Sequence, residues 1–142
     1  MKTQLHHLTL AIEAAIVIQD GSEAVRELVT STGIRDGIVT LHSPHTTAYV
    51  SLNESEEALR ADMVDYLHRV VPRAGDYRHN IAPVDDRDNA HAHLMGLFLN
   101  ASETLPLVDG RLCLGGWQAV LFIEVDGPRP RRELQLHVMG TG

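Results

Sequence analysis

Apolar and β-branched residues recur at short spacing in two opening segments, Gln4 to Leu10 and Ala14 to Gln19, and this pattern predicts two strands. Asp20 with Glu23 three residues later has the form of a capping box. The helix it opens shows Val25, Leu28 and Val29 on one face and stops at Gly33, a residue suited to a left-handed C-terminal cap. Two further strands, Ile38 to His42 and Thr46 to Leu52, flank a short Ser43-Pro44-His45 connection. In the second, Thr46, Ala48, Val50 and Leu52 share one face, and Thr47, Tyr49 and Ser51 the other. Asn53 with Glu56 repeats the capping signature and predicts a second helix to about Arg69, with Leu59, Met63, Tyr66, Leu67 and Val70 as its apolar stripe, ended by Pro72.

From Pro72 to Asn89 neither period is present. A polar stretch of that length inside a domain is a functional loop or a disordered one, and Tyr77, His79 and Asp85-Asp86 within it favour function. Asp88 or Asn89 caps a third predicted helix running through Asn100. Thr104 to Leu107, Leu112 to Leu114, Trp117 to Val125 and Glu133 to Val138 then read as strands. Strands and helices mix without regular βαβ alternation, so the expectation is an α+β fold of largely antiparallel sheets with about three helices.

A chain of 142 residues fits one domain, 1-142. With 44% hydrophobic and 22% charged residues it has the profile of a soluble globular protein. The net charge of -7 argues against nucleic acid as a partner. No stretch approaches membrane-spanning length and no leader pattern is present, which gives an expectation of no membrane and a cytoplasmic location. Cys113, the lone cysteine, lies in an apolar run and reads as a small buried hydrophobe.

Histidine changes this picture. The chain has nine, and His42, His45, His68, His79, His91 and His93 crowd its middle. Such a cluster suits a site that holds a metal or moves protons, although a single histidine is most often a solvated surface residue. If His91 and His93 lie on the third helix, their two-residue step turns about 200°, and only one of them serves a site. His45 sits at a strand mouth beside Thr46 and Thr47, whose hydroxyls can bind an anion or orient the imidazole, or are simply strand residues. Arg73, Arg78, Arg87 and Arg111 are candidate phosphate forks, and Arg129, Arg131 and Arg132 read as a turn between strands. Asp85, Asp86 and Asp88 are possible oxygen ligands for magnesium or merely solvated acids. Trp117 is a core anchor by preference and a flat wall for a ring-shaped ligand otherwise.

Taken together, His45-Thr46-Thr47-Ala48, Asn53-Glu54, Tyr77-Arg78-His79-Asn80, Ala92-His93-Leu94, Gly110-Arg111-Leu112 and Gly115-Gly116-Trp117-Gln118 resemble the YjbQ family, small proteins known as secondary thiamine-phosphate synthases. The resemblance spans nearly the whole chain. It departs at Gly116, where the family has threonine, which puts a hydroxyl contact there in doubt. It implies a compact α+β homotrimer, with His93 rather than His91 as the family's histidine. It also implies a weak activity joining hydroxymethylpyrimidine diphosphate to hydroxyethylthiazole phosphate. Residues and resemblance together give an expected site of His45, His79 and His93 as metal-ligating or proton-handling groups, with zinc or magnesium as the divalent metal ion. Thr46, Thr47, Asn53, Glu54, Arg78, Arg111, Trp117 and Gln118 would bind a phosphorylated small-molecule ligand. The rival readings are a non-catalytic binding module for an anionic metabolite or metal, and a structural trimer whose histidines are incidental.

Overall fold

The computed structural model describes residues 1–142. Eight strands and three helices follow one another as β1 (Lys2–Ile12), β2 (Val17–Asp20), α1 (Ser22–Ser31), β3 (Asp36–His42), β4 (Ala48–Glu54), α2 (Glu57–Val70), α3 (Ala90–Met95), β5 (Ser102–Val108), β6 (Arg111–Leu112), β7 (Gln118–Glu124) and β8 (Arg129–Thr141). Two antiparallel sheets result, a five-stranded one in the order β1-β8-β3-β5-β6 and a three-stranded one in the order β2-β7-β4. The α+β, largely antiparallel expectation holds.

The two sheets pack face to face because the period of two sends every second residue of each strand inward. Val39 and Leu41 of β3, Leu134, Leu136 and Val138 of β8, Val50 of β4, and Val120 and Phe122 of β7 fill the space between them, with Val25 and Val29 of α1. The other face of the three-stranded sheet carries Tyr49, Leu121 and Ile123 and is covered by Leu67 of α2 and by Ala92 and Met95 of α3. The molecule is therefore three layers deep, sheet on sheet on helices, and the middle sheet is buried on both sides. The alternation expected along Thr46 to Leu52 is met, with Ala48 and Val50 facing one core and Tyr49 the other. Gly37 and Gly140 face each other across β3 and β8. A Cβ on either would fall 2.0 Å from a carbonyl oxygen of the opposite strand, so only glycine lets the strands pair this closely.

Several boundaries move for identifiable reasons. The strand β4 runs on to Glu54, so Asn53 is no helix cap, and its Oδ1 accepts from the Glu54 N–H. Glu56 caps α2 instead, accepting from Ala58 N at 2.8 Å and Leu59 N at 2.7 Å. Asp20 stands one residue outside the Gly21 cap of α1 and accepts from Ser22 N, so no capping box forms with Glu23. Gly33 takes the expected left-handed conformation at φ +67°. The third helix stops at Met95, well short of Asn100. At the following residue, Gly96, a Cβ would lie 2.4 Å from the Tyr49 hydroxyl, which closes the helix end against β4. Within the irregular Pro72 to Asn89 stretch only Arg78–Asn80 forms a turn of 3-10 helix. Cys113 is exposed rather than buried, and Trp117 is 81% exposed, so neither is a core residue. No helix is long and apolar enough to cross a membrane.

Candidate functional site

The strand period places two ionised side chains where apolar ones are expected. Glu124 shares the inward face of β7 with Val120 and Phe122, and Arg132 shares that of β8 with Leu134 and Leu136. Neither could be left alone in such a place. Glu124 is fully buried, and the Arg132 guanidinium grips both its oxygens, Nε to Oε2 at 2.5 Å and Nη2 to Oε1 at 2.8 Å. Nη2 also donates to Thr47 Oγ1 at 2.6 Å, while Nη1 makes no hydrogen bond within the chain.

The loop from Ser43 to Thr47 is pinned over this pair. Ser43 Oγ donates to Ala48 O at 2.6 Å, and Val125 N donates to Thr47 O at 3.2 Å. His45 Nε2 accepts from the backbone N–H of Glu133 at 2.9 Å. Accepting there requires the lone pair on Nε2, so neutral His45 carries its proton on Nδ1. Burial first, and then the Arg132 charge, hold His45 below its ordinary pKa against the opposing pull of Glu124 and Glu133. At neutral pH it is an uncharged, oriented donor.

On the opposite wall a chain of bonds fixes a second imidazole. Asp126 accepts from Arg87 (Nη2 at 3.1 Å), Arg129 (Nη2 at 2.7 Å) and Asn89 (Nδ2 at 2.9 Å). Burial alone would raise its pKa, but these hydrogen bonds outweigh burial and bring it down to about 2. With its amide nitrogen on Asp126, Asn89 turns its oxygen to His79 Nε2 at 3.1 Å, so His79 donates from Nε2 and keeps the Nδ1 lone pair free. His79 and His93 then meet edge to face, with ring centroids 5.0 Å apart.

Two adjoining clefts share His93. One, of about 240 Å³, is mainly polar and is lined by Pro44, His45, Thr46, Thr47, Asp85, Asn89, Arg129 and Arg132 beside His93. The other, of about 360 Å³, is lined by Tyr77, Arg78, His79, Ala90 and Leu94 beside His93. The α3 geometry matches expectation: His93 opens onto the clefts, whereas His91 is buried, with Nδ1 lacking any partner. As metal donors these residues form a pair and not a closed set. His45 has no free lone pair, His79 and His93 remain, and no three His, Cys, Asp or Glu side chains of the chain converge as ligands.

The expected site thus divides. His45, Thr46, Thr47, Arg78, His79 and His93 come together. Glu54, Trp117 and Gln118 line a different cleft of about 280 Å³ at the far end of the three-stranded sheet, with Asn53 beside Glu54 on β4. Arg111 lies elsewhere again, against α1. Both Arg132 and Arg129, read from sequence as turn residues, belong to the site, as do Glu124, Asp126 and Asn89, which were missed. The signal was present for two of them: counting the period of two from Phe122 and from Leu134 puts Glu124 and Arg132 inside.

An antiparallel β/β/α sandwich with a histidine- and arginine-lined cleft at one end of its middle sheet defines the class. Residues 5–141 match the family model of the UPF0047 protein YjbQ-like group, and the chain belongs to that family. It is 38% identical over 125 residues to a UPF0047 protein of Archaeoglobus fulgidus, covering 88% of this chain and 94% of the relative. A UPF0047 protein of Methanothermobacter thermautotrophicus is 36% identical over 132 residues, covering 93% and 90%. Among solved structures, a protein of unknown function from Sulfolobus solfataricus superposes with a TM-score of 0.92 at 29% identity over 98% of both chains. A hypothetical protein from Aeropyrum pernix gives 0.90 at 36% identity over 96% of this chain and 98% of its own.

Proposed function

We propose that the chain is an enzyme-like protein that binds a phosphorylated, ring-bearing small molecule across the two clefts that share His93. The observation that carries this reading is their unlike chemistry on either side of one imidazole. The polar cleft offers Nη1 of Arg132 and of Arg129, the Nδ1 proton of His45 and the hydroxyls of Thr46 and Thr47, a donor set suited to phosphate oxygens. The other cleft offers Tyr77, Ala90 and Leu94 as walls for a ring. His79, fixed by Asn89, and His93 stand between them as proton-handling groups.

The resemblance to secondary thiamine-phosphate synthases suits these dimensions, since both linked substrates are a ring joined to phosphate. In that condensation the thiazole nitrogen forms a bond to the pyrimidine methylene carbon while the bond to diphosphate breaks. His45 and the arginines would hold the departing diphosphate. His79 and His93 would be the residues to hold a divalent metal ion, which would supply further charge neutralisation. The same resemblance suggests a homotrimer, in which the cleft of Glu54, Trp117 and Gln118 would reach the histidines only from a neighbouring copy.

Calorimetric titration with the thiazole phosphate and the pyrimidine diphosphate, with and without zinc or magnesium, tests the reading. Binding weakened at least tenfold by His93→Ala and by Arg129→Met is the expected result, with condensation far slower than the roughly ten turnovers per second of a median enzyme. Phosphorylated ligands that fail to bind wild type, or bind wild type and both variants equally, would overturn it. Binding without condensation favours the non-catalytic module.

A further inference from the structure

The segment between Asn80 and Arg87 is fastened at its ends and nowhere between. Asn80 Oδ1 accepts from the Ala90 backbone N–H at 3.0 Å, which ties the start of the segment to the first turn of α3. At the other end the Arg87 guanidinium grips the buried Asp126 through Nε at 3.3 Å and Nη2 at 3.1 Å. From Ala82 to Asp86 no backbone N–H or carbonyl bonds to another element, and Asp85 Oδ1 accepts only from the Arg87 N–H, two residues on. A loop whose ends are held close while its body is free can swing as a unit without disturbing the fold around it. Asp86 marks a turning point, with its backbone in the left-handed region at φ +57°. The tether has a second connection: Asp126, which holds Arg87, is the carboxylate that orients Asn89 and through it His79.

Two consecutive side chains on this free stretch have unlike surroundings. Asp85 lines the polar cleft together with Arg129 and Arg132, while Val84 stands entirely in solvent and Ile81, three residues earlier, is 81% exposed. Each placement is the reverse of what a phosphorylated ring requires. A carboxylate beside the arginines repels an incoming phosphate, and an apolar side chain that would cover a ring is left in water. Because Val84 and Asp85 are neighbours, one swing of the loop moves both, carrying the carboxylate away from the arginines and the apolar side chain toward the clefts.

We propose that Ala82 to Asp86 is a lid with two positions. In the open position, the one in this structure, Asp85 holds the place beside the arginines; in the closed position the ligand's phosphate has displaced Asp85 and Val84 covers the ring. This inference rests on the phosphorylated-ring reading of the clefts and adds to it a regulation of access. A ligand shifts such an equilibrium only by the difference in its interaction with the two positions, and here that difference has two parts. Relief of like-charge repulsion at Asp85 acts on any anion. Apolar cover from Val84 acts only on a ligand that carries a ring.

Hydrogen exchange read by mass spectrometry, with calorimetric titration, tests the lid on wild type, Val84→Ser, Asp85→Asn and Asp86→Asn, using the thiazole phosphate and inorganic diphosphate as probes. All three substituted positions are exposed, so the variants are expected to fold, and circular dichroism checks that they do. The amides from Val84 to Asp86 should exchange freely in the unliganded protein and slow by about tenfold or more with the thiazole phosphate. Val84→Ser should weaken the thiazole phosphate about tenfold and leave inorganic diphosphate unchanged. Asp85→Asn should tighten both probes about threefold or more, and Asp86→Asn, which removes the same charge outside the polar cleft, should tighten them less. Thiazole phosphate that binds without slowing those amides, or a Val84→Ser effect that is absent or equal for the two probes, would overturn the lid and leave the binding reading intact. Equal effects of Asp85→Asn and Asp86→Asn would overturn the place given to Asp85. If neither probe binds wild type, the lid and the binding reading fall together.

Discussion

The two ends of the three-stranded sheet use the same kinds of residue to opposite effect. At the end where β4 begins, Glu124 is out of reach of solvent, Arg132 is 6% exposed, and their bonds to each other and to Thr47 fix which guanidinium protons face the cleft. At the end where β4 finishes, Asp20 and Glu56 are spent on the helix starts of α1 and α2, and Trp117 projects into solvent on the turn before β7. Charge at the second end satisfies backbone N–H groups. At the first it is desolvated and geometrically fixed, and fixed donors in a partly dry cleft recognise an anion better than mobile ones do.

The sharpest way to break this contrast is to remove a carboxylate from each end. Glu124→Ala strands the buried Arg132 charge and should cost about 3–5 kcal/mol in urea unfolding. Glu54→Ala, at an exposed position, should change stability by no more than about 0.5 kcal/mol. Equal effects would mean that the buried pair is solvated after all.

Asp126 comes next in size. Asp126→Asn weakens the grip on Arg87 and Arg129 and should cost about 1.5–3 kcal/mol at neutral pH. Because its folded pKa is depressed, the carboxylate contributes stability that is complete above the ordinary carboxylate value of 3.8 and is lost as pH falls through about 2. Acid unfolding monitored by circular dichroism should therefore show a shallower fall between pH 4 and 2 for Asp126→Asn than for wild type.

The histidines of α3 sharpen the comparison within one helix. Burial above all, then Arg73, keeps His91 below its ordinary pKa of 6.5, with Asp126 and Asp88 opposing and His68 adding. The unfolded chain takes up this proton first, so the contribution of His91 is complete above pH 6.5 and declines as pH drops below it. His91→Leu should flatten the dependence of unfolding free energy on pH between 6.5 and 5, whereas His93→Ala should weaken phosphate binding. Smallest of all is Trp117→Ala, whose exposed ring should alter stability by less than about 0.5 kcal/mol. A larger loss on dilution-sensitive samples would place Trp117 in a contact between copies.

Most of the fold was legible in the hydrophobic pattern. Alternation from Ala48 to Leu52 and along β7, the glycine stop at Gly33, and the 200° step that separates His91 from His93 follow from local geometry, which one segment of chain contains in full. Local patterning also misled. Asn53 looks like a cap because Glu56 follows at the right spacing, but pairing with β7 carries the strand through it to Glu54. Likewise Gly115-Gly116-Trp117 gave no sign that its ring would be left outside the core.

By itself, then, the sequence determined the element types, the family, and the imidazoles that gather at a strand mouth and on a short helix. Only the tertiary structure decided that Arg132 is buried on Glu124, that Asn89 sets the tautomer of His79, and that Trp117 lies far from the histidines. The first two depend on groups 8 and 10 residues apart in the chain meeting at hydrogen-bond distance, and the third on which end of the sheet each turn reaches. Such meetings are set by how strands register and layers stack, and residue spacing along a single element does not contain them.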